Sequence, residues 1–183
     1  MLSPKEIYHK FNELKIILSH KDKEFIKMHA HGGYSILLTY PPQEERAYLE
    51  RVRAEYPAAC FIDMAELFVA YIDDIGFEDF LEVYQEYASE PEKLFRSEMN
   101  PGDLYQRILT EIEKAGKAQQ LPVLVRTGAL YGTGIENINI MDSKVVHDLP
   151  LPLVIMYPAT LSAENKLKFL NVKPASDYRA TVI

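Results

Sequence analysis

The sequence predicts a single α/β domain over residues 1–183, built on a mostly parallel five-stranded sheet flanked by helices, with a helical insertion at about 64–116. Three observations predict it. Apolar runs of strand length at 34–40, 58–62, 121–127 and 151–157 are each bounded by turn or cap residues, as in strands buried on both faces. Segments with helical apolar spacing stand between those runs. The composition is 48% hydrophobic and 26% charged, which excludes a disordered chain, and 183 residues suffice for one core.

The elements follow in order. Ser3-Pro4-Lys5-Glu6 combines an N-cap, a proline at the first helical position and a capping-box glutamate. Ile7, Phe11, Leu14 and Leu18 then mark an amphipathic helix. A polar, lysine-rich stretch leads to Gly32-Gly33 and the first strand, stopped by Pro41-Pro42. A helix over 43–55 precedes the second strand, and Asp63 caps a third helix with Leu67, Phe68, Tyr71, Ile72 and Ile75 on its buried face. Phe77, Phe80, Leu81, Tyr84, Tyr87 and Ala88 give a fourth helix its apolar stripe, expected to be buried. Pro101 opens a fifth, with Leu104, Ile108 and Ile112 inside. A third strand ends at Gly128, and a glycine-containing loop and short helix lead to a fourth, stopped by Pro158. Ser162 is expected to cap a helix bearing Leu167 and Leu170, and 178–183 to form the last strand.

The net charge of −7 has one address: positions 73–98 hold nine acidic residues against two basic ones, Lys93 and Arg96, and the remainder is formally neutral. Such a balance suits a phosphate backbone poorly, so direct nucleic-acid binding is not expected. No apolar run approaches the ~20 residues of a membrane span. The start of the chain shows no signal-peptide pattern, and the single cysteine, Cys60, reads as a buried structural thiol. Both fit a cytoplasmic protein.

A search for chemistry finds no complete motif. The fold points to a P-loop-like or Rossmann-like core without a P-loop. The first strand is followed by Tyr40-Pro41-Pro42-Gln43-Glu44-Glu45, where two prolines remove amide donors and the glutamates repel phosphate. Gly132-Thr133-Gly134 lies after a strand, as a dinucleotide fingerprint would, but Asn137 stands where the third glycine belongs; the glycines read as turn residues. Asp63 and Glu66 read as a helix cap. Glu164-Asn165-Lys166 matches the letters of a nuclease triplet in what reads as a helix. His29 and His31 lack a third ligand nearby. No catalytic residue, metal or cofactor is expected.

From Pro122 onward the order of motifs is distinctive. An apolar strand ends in Thr127-Gly128, and a second, Leu153-Val154-Ile155-Met156, ends in Tyr157-Pro158. Leu167-Lys168-Phe169-Leu170 and Asp177-Tyr178-Arg179-Ala180 follow. This succession is similar to the BrxB family of bacteriophage-exclusion (BREX) systems, and Tyr40-Pro41-Pro42 and Ile62-Asp63 resemble that family's N-terminal half. The chain departs from the family at Gly132-Thr133-Gly134-Ile135 and Asp142-Ser143-Lys144, where an aromatic-Pro-aromatic and an arginine-histidine element are usual. Ala159 replaces a customary glycine. The resemblance implies a small non-catalytic component of a multi-gene phage-defence system, working beside a methyltransferase, an ATPase and a PglZ-type phosphatase-fold protein, with the last as direct partner. The alternative is an enzyme or nucleotide-binding regulatory domain whose site no motif reveals.

Two surfaces are alternative candidates to meet a protein partner. One is the acidic helix, with Glu82 and Glu86 on its outer face opposite Leu81 and Tyr84. The other is a strand-end edge bearing Tyr131, Tyr157 and Tyr178, with Arg179 beside it, since aromatic side chains are enriched in interface hot spots.

Overall fold

A computed structural model describes residues 4–20, 23–97, 102–161, 167–174 and 179–183. Ser3, Pro101, Ser162, the Glu164-Asn165-Lys166 triplet and Tyr178 lie outside the described residues, as does the side chain of His29.

The core is a parallel sheet of β1 (Ser35–Tyr40), β2 (Cys60–Asp63), β3 (Pro122–Val125), β4 (Leu153–Leu161) and β7 (Thr181–Val182), in the order β2-β3-β4-β1-β7. Ile155 is in register with Leu37 on one side and Leu124 on the other. Side chains alternate across a strand, so each run feeds two layers. Ile36, Leu38, Val123, Val125, Val154 and Met156 pack under α1 (Pro4–Ser19) and α3 (Glu45–Glu55), through Phe11, Leu14, Tyr48 and Val52. Leu37, Ile62, Leu124 and Ile155 face the other layer. There α2 (Lys23–His29), α4 (Met64–Ile75) and α7 (Leu104–Lys117) contribute Ile26, Tyr71, Ile108 and Ile112. Strands buried on both faces need apolar residues at nearly every position, and β1 is buried throughout.

Between β2 and β3 the insertion runs through α4, α5 (Phe77–Tyr87), α6 (Glu92–Phe95) and α7. Asp63 Oδ1 caps α4, accepting from Ala65 N at 3.0 Å and Glu66 N at 3.2 Å. Gly76, at φ +90°, ends α4 and starts α5: its N–H donates to Ile72 O and its carbonyl accepts from Phe80 N. That φ is one L side chains rarely adopt, which fixes glycine at the corner. After β3, a 3-10 turn at Thr127–Leu130 leads to α8 (Asn137–Met141) and α9 (Lys144–His147).

Several expectations are corrected. Pro158 does not stop the fourth strand: it pairs with Tyr40, and β4 continues to Leu161. The register places Pro158 past the end of β3, so one flank of the strand is already unpaired and a missing donor is tolerated. The expected helix with Leu167 and Leu170 is instead β5 (Leu167–Phe169), antiparallel to Ala159–Leu161 and followed by β6 (Lys173–Pro174). The half-buried, exposed, buried succession of Leu167, Lys168 and Phe169 has the period of two of a strand, and Leu170 turns away at φ 52°. Phe61 and Cys60 are half-buried, not buried. Helices α2 and α6 stand where the sequence suggested none.

Candidate functional site

At the carboxyl ends of the strands, the usual ligand position in an open parallel sheet, Arg126 leaves β3 in the left-handed region at φ 52°. Its Nε donates to Asp63 Oδ2 at 2.6 Å and its Nη2 to Glu66 Oε1 at 3.0 Å. The hydrogen bond and charge of Asp63 bind the guanidinium proton more tightly than usual. Asp63 and Glu66 are thus a cap and an ion pair. The adjoining crevice, about 260 Å³, is bordered by Pro42, Glu45, Gly128, Pro158 and Leu170. Glu45 accepts from Tyr40 Oη at 2.8 Å, and burial pushes the Tyr40 phenol far above its ordinary range. The crevice thus carries a carboxylate, Glu45, beside the ion-paired Arg126.

A larger cleft, about 340 Å³, lies between the Thr127–Leu130 turn with its following loop and the β5–β6 hairpin. Tyr131 and Tyr157 both line it. Tyr157 is 1% exposed and stacks on Phe169 at 5.0 Å, so it is a wall of the cleft and not the surface contact expected from the sequence. Tyr131 is exposed at the rim. The loop is not a loose turn. Thr133 is buried, its Oγ1 donating to Leu130 O at 2.7 Å and accepting from Ile135 N at 3.1 Å. Gly132 and Gly134 both have positive φ, and a Cβ on Gly134 would come within 2.7 Å of Glu92 Cβ in α6. Glu136 forms an ion pair with Lys173 across the mouth and a reciprocal capping box with Asn139.

Asn137 also lines this cleft. It is 4% exposed, and its Oδ1 has no hydrogen-bond partner among the described residues. Buried amide oxygens are almost always satisfied, and this one, itself closed off from solvent, is an exception. The sequence offered Asn137 only as the residue displacing a fingerprint glycine. Phe169 and Lys173 were missed because their strands were not foreseen.

The acidic helix presents a second feature. Glu82 and Glu86 are exposed on α5 as expected, and among the described residues no cation pairs with them. The apolar stripe behaves differently. Phe80 is buried against Phe95, with ring centroids 6.1 Å apart, but Phe77 is 67% and Leu81 42% exposed. With about 100° of turn per residue, Phe77 and Leu81 form a ridge between the buried edge and the acidic row Glu78, Glu82, Glu86. Arg179 is exposed far along the chain, its carbonyl packed against Gly33. The structure brings Tyr131 and Tyr157 to one cleft, while Glu82 and Glu86 stand on a separate element. No known family, curated protein or solved structure matches the chain. Among the described residues no three His, Cys, Asp or Glu side chains gather to hold a metal, and no helix is long and apolar enough to cross a membrane.

Proposed function

We propose that this chain is a docking subunit of a BREX-type phage-defence assembly, without chemistry of its own, and that α5 docks onto a larger PglZ-like component. The observation that carries the docking reading is the uncovered ridge of Phe77 and Leu81 on a helix edged by carboxylates that no cation pairs with among the described residues. Large apolar side chains grouped on one exposed face favour an interaction surface, and the acidic row selects a partner segment that is basic and apolar in alternation. The assignment to BREX rests on the resemblance from Pro122 to Ala180, and a cytoplasmic site of action goes with it.

The test is co-purification of this chain with the product of each neighbouring gene, one at a time. The expected result is recovery with the phosphatase-fold product, and loss of that recovery for the double variant Phe77→Ser, Leu81→Ser at unchanged melting temperature. Recovery of the chain alone in every case rejects docking. Recovery unaffected by the double variant rejects α5 as the surface.

A further inference from the structure

We propose that the partner segment lying on α5 is an amphipathic α-helix with lysine or arginine along one flank; this deepens the docking reading and rests on it. The argument begins with how little of α5 the chain itself covers. Of its 11 residues only Phe80 is buried, packed on Tyr84 and Phe95 with ring centroids 5.8 and 6.1 Å apart. Phe77, Leu81 and Tyr84, at 67%, 42% and 37% exposure, carry the apolar arc beyond that buried edge. Their spacing of four and then three residues makes one helical row about 10 Å long. The arc is wide enough for two contacts, and the chain makes one.

The backbone decides what form the second contact takes. The N–H and C=O groups inside a helix are bonded to each other, so this face of α5 offers side chains only. An extended segment laid on it would shed water from its own amides and find no partners for them, which is unfavourable. A helix arrives with its amides already paired, and its surface grooves accept a row of side chains at this spacing. Charge supplies the second condition. Glu78, Glu82 and Glu86 run four apart along one side of the ridge, exposed, and among the described residues no cation pairs with them. Nearby cations are engaged elsewhere: Lys93 pairs with Glu90 at 2.6 Å and Arg107 with Asp74 at 2.5 Å. Lysines or arginines four apart on one flank of a partner helix meet that row. The same carboxylates repel nucleic-acid phosphates and anionic lipid headgroups. They also disfavour a second copy, because a two-fold antiparallel pair of α5 helices sets acidic row against acidic row.

A synthetic helix tests this on the intact chain. The probe is a fluorescein-labelled peptide of about 18 residues, made of alanine with leucines three and four apart and lysines along one flank. Binding is read by anisotropy, and the melting temperature checks the fold of each variant. The expected result is saturable binding, weakened about tenfold or more by Phe77→Ser with Leu81→Ser. A loss of the same size is expected when two central alanines of the peptide become proline, which breaks the helix and leaves its charge unchanged. Glu82→Lys with Glu86→Lys is expected to weaken binding, with a smaller effect at high salt. Val172→Ser, exposed in the turn between β5 and β6, is expected to bind as wild type does. No saturable binding, binding untouched by the ridge variant, or equal binding of the proline peptide overturns the proposal. Self-association of the chain in sedimentation, lost in the ridge variant, assigns the ridge to a second copy and overturns it too. The two readings fail separately. Partner recovery that needs Phe77 and Leu81, with equal binding of the proline peptide, removes the helix and keeps the docking subunit. Helix-selective peptide binding with no partner recovered does the reverse.

Discussion

The Asp103 carboxylate accepts from two amides on different segments, Gln106 N at 2.7 Å in the first turn of α7 and Ser97 N at 2.6 Å just beyond α6. It is fully buried, so one side chain both caps a helix and joins two parts of the insertion. Asp103→Ala is expected to lower stability by about 1–3 kcal/mol in urea denaturation, through loss of the cap and an orphaned buried amide. Cys60 gives a pH prediction. Burial, and then the nearby Glu111 carboxylate, raise the thiol above its ordinary pKa. A raised thiol pKa means less thiolate at any given pH, so alkylation is expected to be slower than for a free cysteine. The midpoint of its pH–rate profile is expected above the ~8.5 of an unperturbed thiol. At this scale, caps were legible: Asp63 declares itself because an aspartate before an apolar periodic stretch has few other uses. Asn137 was not, since an amide in a glycine loop acquires meaning only after Thr133 and Gly134 have fixed where that loop runs.

Periodicity reveals that a helix has an apolar face and says nothing of what covers it. That is why the stripe of α5 was expected inside, whereas only Phe80 is well buried and Phe77 and Leu81 face outward. The distinction is measurable. Phe80→Ala is expected to cost about 3–5 kcal/mol, because it removes a ring from the group it forms with Phe95 and Tyr84. Phe77→Ser is expected to stay within about 0.5 kcal/mol in the same urea titration, as exposed substitutions do. A large loss at Phe77 would mean that the ridge is covered by the chain itself. The β5–β6 hairpin shows the opposite difficulty. Leu167 and Leu170 have a helical separation, yet β5 is too short to display an alternation that outweighs it. The edge offered by β4 beyond Pro158 decides the matter.

For the whole molecule, the class of fold was legible because a fully buried parallel strand has to be apolar at almost every position, and four such runs are plain in the sequence. Strand order was not. β1 and β2 follow one another in the chain but are separated by β3 and β4 in the sheet, an arrangement set by packing on both faces and not by local pattern. The same holds for charge: the sequence locates the acidic excess, while the fold sets part of it, the row Glu78, Glu82 and Glu86, on α5 beside an apolar ridge. Those two features act at different stages of association. Exposed carboxylates steer a basic partner at long range and govern the rate of encounter, whereas buried apolar and aromatic contacts govern how long the complex lasts. Glu82→Lys with Glu86→Lys is therefore expected to slow association with the recovered partner and to leave dissociation nearly unchanged. Raising salt is expected to narrow the gap from wild type, since screening shortens the reach of exposed charges to about 8 Å at physiological ionic strength. Tyr131→Ala is expected to do the reverse, speeding dissociation with little dependence on salt. Stopped-flow or surface-resonance kinetics at two salt concentrations separate the pair. If the charge reversal instead speeds dissociation equally at both, the glutamates are buried contacts and the steering account fails.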